Sequence, residues 1–189
     1  VLLFANGPPT RTSYESLSAP WVRAGNVERG QPMHFKTLKD AGVRGNRVLL
    51  REDFNVPMKD GTIADETRIT AALPTLRFLH EHGAKTVILS HLGRPEGKPN
   101  PKYSLRPIAA RLAQLLGTPV TFVEDCVGDG AVAASKALRD GGFALFENVR
   151  FHPGEEANDA DFARELAMSG DLYVNDAFGT AHRAHASTA

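Results

Sequence analysis

Only one cysteine, Cys126, occurs in the chain, so no internal disulfide is available and a reducing compartment is implied. Net charge is missing too. The 22 basic residues balance 22 acidic ones, which disfavours bulk electrostatic attachment to nucleic acid or to an anionic membrane. No apolar run approaches the ~18 residues that a membrane-spanning helix requires. Internal repeats and low-complexity tracts are absent as well. A length of 189 residues leads us to expect one sizeable domain with its own core rather than two.

Regular patterning is also missing from the first 32 residues, where Pro8-Pro9, Pro20 and Pro32 are scattered among Ser, Thr and Arg and the chain begins with Val1. Met33 opens the stretch that leads into the first strand. Residues 1–32 are therefore expected to be an upstream or disordered extension, and residues 33–189 the folded domain. A transit peptide is the competing reading of 1–32, because the segment bears Arg and Ser and is poor in acids. A secretory signal is disfavoured, since Val1 to Ala5 is too short an apolar region and no charged segment precedes it.

What is present begins with Arg47 to Pro57. Val48 to Leu50 is an unbroken apolar run short enough for a buried parallel strand, and it passes directly into Arg51, Asp53 and Asn55 before Pro57. Lys59-Asp60-Gly61-Thr62 predicts a turn. Ile69, Leu73, Leu76 and Leu79 follow at helical spacing, with Pro74 predicted to start the main helix and to leave Arg68 on a separate turn. Further strands are predicted over Lys85 to Leu89, Val120 to Val123, Phe143 to Phe146 and Leu172 to Val174. Between them lie a helix capped by Ser104 and stopped by Gly117, a weaker one from Gly128 to Asp140, and one capped by Asn158 and closed by Gly170. The stretch from Ser90 to Tyr103 is a long aperiodic loop of the kind that is functional or disordered. Strands alternating with helices predict an α/β fold, a doubly wound, Rossmann-like parallel sheet with helices on both faces.

Four of the five predicted strands run into an arginine: Arg51, Arg94, Arg150 and Arg183. Parallel strands present their carboxyl ends on one edge, so these side chains can converge on a small polyanion bearing phosphate or carboxylate. Asp53 and Asn55 would add contacts to hydroxyls. One arginine at a strand end is usually a solvated or salt-bridged residue. Four strand ends behaving alike reverse that expectation. His91, His182 and His185 were weighed as zinc ligands, but His182 and His185 lack a Cys or Glu at ligand spacing, and anion hydrogen bonding is preferred to a metal site. Glu155-Glu156 is expected to be a solvated turn and Cys126 a small core residue. Gly93 to Lys98 fails as a phosphate loop because Pro99 stands where Ser or Thr is required. Gly128 and Gly130 satisfy G-x-G-x-x-A, but four residues separate them from the strand core, which makes an NAD-binding oxidoreductase a weak alternative.

Together the blocks Arg47 to Pro57, Ser90 to Pro95, Glu147 to His152 and Asn175 to His185 resemble the amino-terminal domain of phosphoglycerate kinase, over about Phe35 to Ala189. The resemblance implies a monomeric, cytoplasmic glycolytic enzyme that transfers a phosphoryl group reversibly between 1,3-bisphosphoglycerate and ADP. This domain would bind 3-phosphoglycerate or 1,3-bisphosphoglycerate. A carboxyl-terminal domain, beyond Ala189, would bind ADP or ATP with Mg2+. It further implies that Asp53 and Asn55 contact the hydroxyl and carboxylate end of the substrate, that Arg51 supports them, and that Arg68 is the catalytic arginine. His91, Leu92, Gly93, Arg94, Arg150, His182 and Arg183 complete the implied substrate site. A non-catalytic anion-binding fragment is the other reading of the chain taken alone.

Overall fold

The structure, a computed structural model, describes residues 2–5, 38–177, 179 and 183–188. Its strands are β1 (Leu2–Ala5), β2 (Arg47–Arg51), β3 (Met58–Lys59), β4 (Thr62–Ile63), β5 (Lys85–Leu89), β6 (Val120–Val123), β7 (Phe143–Phe146) and β8 (Leu172–Asn175). Its α-helices are α1 (Thr67–Glu81), α2 (Arg106–Leu116), α3 (Gly128–Ala137), α4 (Pro153–Glu156) and α5 (Ala160–Ala167). Among the described residues the main sheet runs β1-β8-β2-β5-β7-β6. Every pairing from β8 to β6 is parallel.

Apolar residues on successive strand positions point to opposite faces, and each face is covered. Val48, Leu50, Ile88 and Leu145 pack with Ile69, Leu76 and Leu79 of α1 and Ile108 and Leu112 of α2. Leu49, Val87, Leu89 and Phe146 pack on the other side with Ala131 of α3 and Phe162 and Leu166 of α5. Helices on both faces of a parallel sheet are the doubly wound arrangement expected from sequence. The Asp60-Gly61 turn joins β3 to β4 with both residues at positive φ (50° and 76°), as a tight two-residue hairpin requires.

Four local expectations are corrected. Pro74 lies inside α1 rather than at its start, so Arg68 sits in the helix's first turn. Proline removes one backbone donor, but buried Ile69 and Ala72 before it and Leu76 and Leu79 after it hold both halves of the helix to the sheet. The helix at Ala160 is capped by Asp159, whose side chain accepts from the N–H groups of Asp161 and Phe162. Asn158 instead takes a left-handed turn at φ 53°. Ser104 stands one residue ahead of Leu105, the residue at the N-terminus of α2; its hydroxyl lies 3.2 Å from Arg106 N and itself donates to Glu147 Oε2 at 2.7 Å. Glu155 is no solvated turn: its side chain is wholly buried within α4. Strand β1 lies within residues 1–32, and its backbone pairs Leu2 with Asn175 through Ala5 with Leu172.

Glu147, at the end of β7, ties α2 to the sheet. Its carboxylate accepts from Leu105 N at 2.9 Å and from Asn148 N at 2.8 Å as well as from Ser104. Truncation would leave buried N–H donors without an acceptor. Glu147→Ala is expected to lower the free energy of unfolding by about 2–3 kcal/mol, measured by urea titration, whereas a change under ~0.5 kcal/mol would show that this tie is dispensable.

Candidate anion-binding site

The carboxyl ends of β8, β2, β5 and β7 lie side by side in the sheet, and their loops enclose a cavity of about 150 Å3. Arg68, Arg94, Arg150 and Arg183 line it, with His91, Asp53, Asn55 and Gly179. The one predicted strand that carries no arginine at its end is β6, which is the far edge of the sheet.

Each side chain is placed by a local device. Ser90 Oγ donates to the Glu52 carbonyl at 2.8 Å and accepts from Phe54 N at 2.9 Å, locking the loop after β2 against β5. Asn55 Oδ1 accepts from Gly93 N at 2.8 Å, which leaves the Asn55 amide N–H groups for a ligand. Arg150 donates from Nη1 to the Gly93 carbonyl at 2.9 Å, and its Nε lies 3.4 Å from Glu156 Oε1. Asp53 accepts from Asn55 N at 3.1 Å and pairs with Arg68 Nη1. Gly179 lets the backbone lie against that pair, since a Cβ there would stand 2.7 Å from Asp53 Oδ2. Gly93, at φ 62°, has the Tyr103 ring 2.4 Å from where a Cβ would be. The guanidinium groups of Arg94 and Arg183, both exposed, have no protein partner among the described residues.

Behind the cavity wall Arg51 is fully buried. Its guanidinium donates to Ser187 Oγ at 2.9 Å, to the Glu52 carbonyl and, from Nη2, to His91 Nδ1 at 3.1 Å. Burial lowers its pKa, opposed chiefly by Glu155. Burial, and then the neighbouring Arg51 and Arg150 charges, push His91 down to about 2, so the ring is neutral at ordinary pH and can only offer a hydrogen bond. Glu52 goes the other way: burial, then the nearby Asp176 charge, raise it to about 8.

Seven of the residues expected at the site from sequence therefore meet at one cavity: Asp53, Asn55, Arg68, His91, Arg94, Arg150 and Arg183. Arg51 stands behind them as support. Leu92 is buried, and its carbonyl accepts from Asn148 Nδ2 at 2.8 Å; Gly93 shapes the wall through its peptide groups alone. His182 lies outside the described residues. Sequence reasoning missed Gly179, whose only signal is a glycine after a strand end, and it missed Ser187 and Glu155, which carry no local signal. Among the described lining residues four guanidinium groups face a single carboxylate, itself paired with Arg68, and none is Ser, Thr, Cys or Lys. Such a set of side chains is suited to holding negative charge.

A larger cavity, about 590 Å3, lies near the end of β6 with Glu124, Asp125 and Glu147 on its wall. It also contains Asp125 and His152, which with buried Cys126 form the group of possible metal ligands found among the described residues. His152 Nε2 is bonded to Asp125 at 2.7 Å, and His91 and His185 are not members of that group. Neither cavity includes Gly128 or Gly130, and a Cβ on Gly130 would meet nothing within 4 Å.

A family model described as phosphoglycerate kinase matches residues 38–189. A phosphoglycerate kinase of Caulobacter vibrioides (strain NA1000 / CB15N) is 60% identical over 156 residues, covering 82% of this chain and 39% of that protein. That of Borreliella burgdorferi is 55% identical over 157 residues, covering 82% and 40%. Among solved structures, phosphoglycerate kinase from Coxiella burnetii aligns with a TM-score of 0.72 at 43% identity, over 80% of this chain and 38% of that one. The Pyrococcus horikoshii OT3 phosphoglycerate kinase aligns at 0.73 and 39% identity, over 79% and 38%. The chain thus spans about two fifths of the length of these relatives.

The two shifted groups oppose each other in their effect on stability. Glu52 stays protonated in the fold up to about pH 8 but ionises near 4.5 once unfolded, so the stability it contributes is full below 4.5 and is lost as pH rises through 8. His91, neutral in the fold, contributes stability above about 6.5 that is lost as pH falls towards 2. Glu52→Gln is expected to raise the melting temperature relative to the parent at pH 8, with the difference shrinking towards pH 5. A difference independent of pH would show that Glu52 is ionised in the fold.

Proposed function

The chain belongs to the phosphoglycerate kinase family, and from that premise we propose that it forms the half of the enzyme that binds 3-phosphoglycerate or 1,3-bisphosphoglycerate. The observation that carries this reading is the convergence of Arg68, Arg94, Arg150 and Arg183 on one cavity. At about 150 Å3 the cavity is smaller than the ~300–1,000 Å3 typical of cofactor pockets, which favours a three-carbon acid over a nucleotide.

In this reading Arg94, Arg150 and Arg183 hold the anionic groups, and Asn55 with Asp53 addresses the hydroxyl and carboxylate end. The neutral His91 adds a hydrogen bond from its ring. Arg68, half exposed at the rim and paired with Asp53, is assigned by the family resemblance to the phosphoryl group in flight. Catalysis is then positioning and charge stabilisation of a direct transfer, in keeping with the cationic side chains that line the cavity. ADP or ATP with Mg2+ finds no fit among the described lining residues: a hard dication wants several free oxygen ligands, and the one carboxylate among them is engaged by Arg68. We assign the nucleotide, by family, to the carboxyl-terminal domain of the complete enzyme, and we assign that enzyme to the cytoplasm as a monomer. Among the described residues no helix is long and apolar enough to cross a membrane.

Calorimetric titration of 3-phosphoglycerate into the chain is expected to show binding that weakens by about tenfold or more in Arg94→Ala, the loss of one charge-assisted contact. Equal heats for both proteins would remove the site. In a full-length kinase containing this domain, Arg68→Ala is expected to lower kcat by about 10²–10³-fold with a much smaller change in KM, and an unchanged kcat would end its catalytic assignment.

A further inference from the structure

The buried groups behind the cavity form one chain in which every donor and acceptor role is determined. Arg51 carries donors only, so its Nη2, 3.1 Å from His91 Nδ1, obliges that nitrogen to accept. The ring proton of His91 must then reside on Nε2, which has no partner among the described residues, in a ring that lines the anion cavity. On its other side Arg51 Nε donates to Ser187 Oγ at 2.9 Å, and the Ser187 hydroxyl in turn donates to Glu155 Oε1 at 2.6 Å. His185 Nδ1 lies 3.9 Å from the same Glu155 oxygen; the second oxygen receives Ser187 N at 2.9 Å, and the backbone carbonyl receives Ala186 N at 3.0 Å. Tyr173 Oη donates to the Ser187 carbonyl at 2.6 Å. The carboxylate is fully buried and is the largest opposing charge on the buried Arg51.

We propose that Glu155 is a positioning residue of the anion site, acting through Ser187 and Arg51 to hold His91 as an Nε2–H donor facing the ligand. The same residue anchors the segment that carries Arg183 into the cavity, its carboxylate accepting from Ser187 N and its backbone carbonyl from Ala186 N. The proposal rests on the reading of the cavity as the phosphoglycerate site, and it adds to that site two residues that touch no ligand. A carboxylate that merely filled the core would need only the bond from Ser187 N. The bonds instead run outward from Arg51, to His91 on one side and through the Ser187 hydroxyl to Glu155 on the other, so the carboxylate orients the guanidinium that fixes the ring.

The test reads the His91 tautomer from ring-nitrogen shifts of the whole chain labelled with 15N-histidine, with His91→Gln to assign the signal. Without ligand, the parent is expected to show a bare Nδ1 and a protonated Nε2. Ser187→Ala and Glu155→Gln are expected to shift His91 to a mixture of tautomers and to weaken 3-phosphoglycerate binding about tenfold, while Ser187→Thr, which keeps the hydroxyl, restores both. If Glu155→Gln does not fold, Ser187→Ala decides alone, since it leaves the bond from Ser187 N to Glu155 in place. A protonated Nδ1 in the parent, or a tautomer unmoved in the variants while only the melting temperature falls, overturns the proposal. The expected tautomers and shifts without any heat from 3-phosphoglycerate would uphold the relay and reject the ligand.

Discussion

A guanidinium with no exposed surface cannot stand without partners, and Arg51 at the end of the central strand is such a group. The cost of taking its charge from water is met by bonds to Ser187, to the Glu52 carbonyl and to His91, with the Glu155 carboxylate beyond. Those partners come from four different strand ends and the loops that follow them. Satisfying Arg51 therefore draws the sheet edge, α4 and the segment after β8 together. The anion cavity is the solvent-facing side of that assembly.

Charge as well as size distinguishes the two cavities. The larger, near β6, presents Glu124, Asp125 and Glu147 and would repel a phosphate. The smaller gathers Arg94, Arg150 and Arg183 from beyond the ends of three parallel strands and Arg68 from the first turn of α1, whereas β6 is placed at the sheet's margin by the order β5-β7-β6. Within the smaller cavity the acids are spent on orientation. Asp53 holds Arg68, and Glu156 lies beside Arg150. Arg94 and Arg183 are left without protein partners among the described residues, which is what a ligand-binding cation needs.

Much of this was legible from residue order. Unbroken apolar runs such as Val48 to Leu50 announce strands covered on both faces, and Gly117, at φ 67°, ends its helix where a left-handed residue was expected. The strand-end arginines were legible for the same reason. Misjudgements arose where tertiary packing outweighs local preference. Pro74 was tolerated inside α1 because core contacts on both sides outweigh one missing hydrogen bond. Glu155, in a Gly-Glu-Glu run indistinguishable from a solvated turn, was drawn into the interior by Ser187 and Arg51.

The sequence by itself determined the five parallel strands of the main sheet, their doubly wound arrangement and which cations stand at the strand ends, because each of these depends on residues close together in the chain. Only the tertiary structure decided which arginine faces the ligand and which lies behind it. Arg51 and Arg94 read alike in the sequence, but one is enclosed by Ser187, 136 residues away, and by His91, 40 residues away, while the other is left in solvent. Burial of that kind is a property of the assembled sheet edge, where partners distant in sequence compete with water for the same donors.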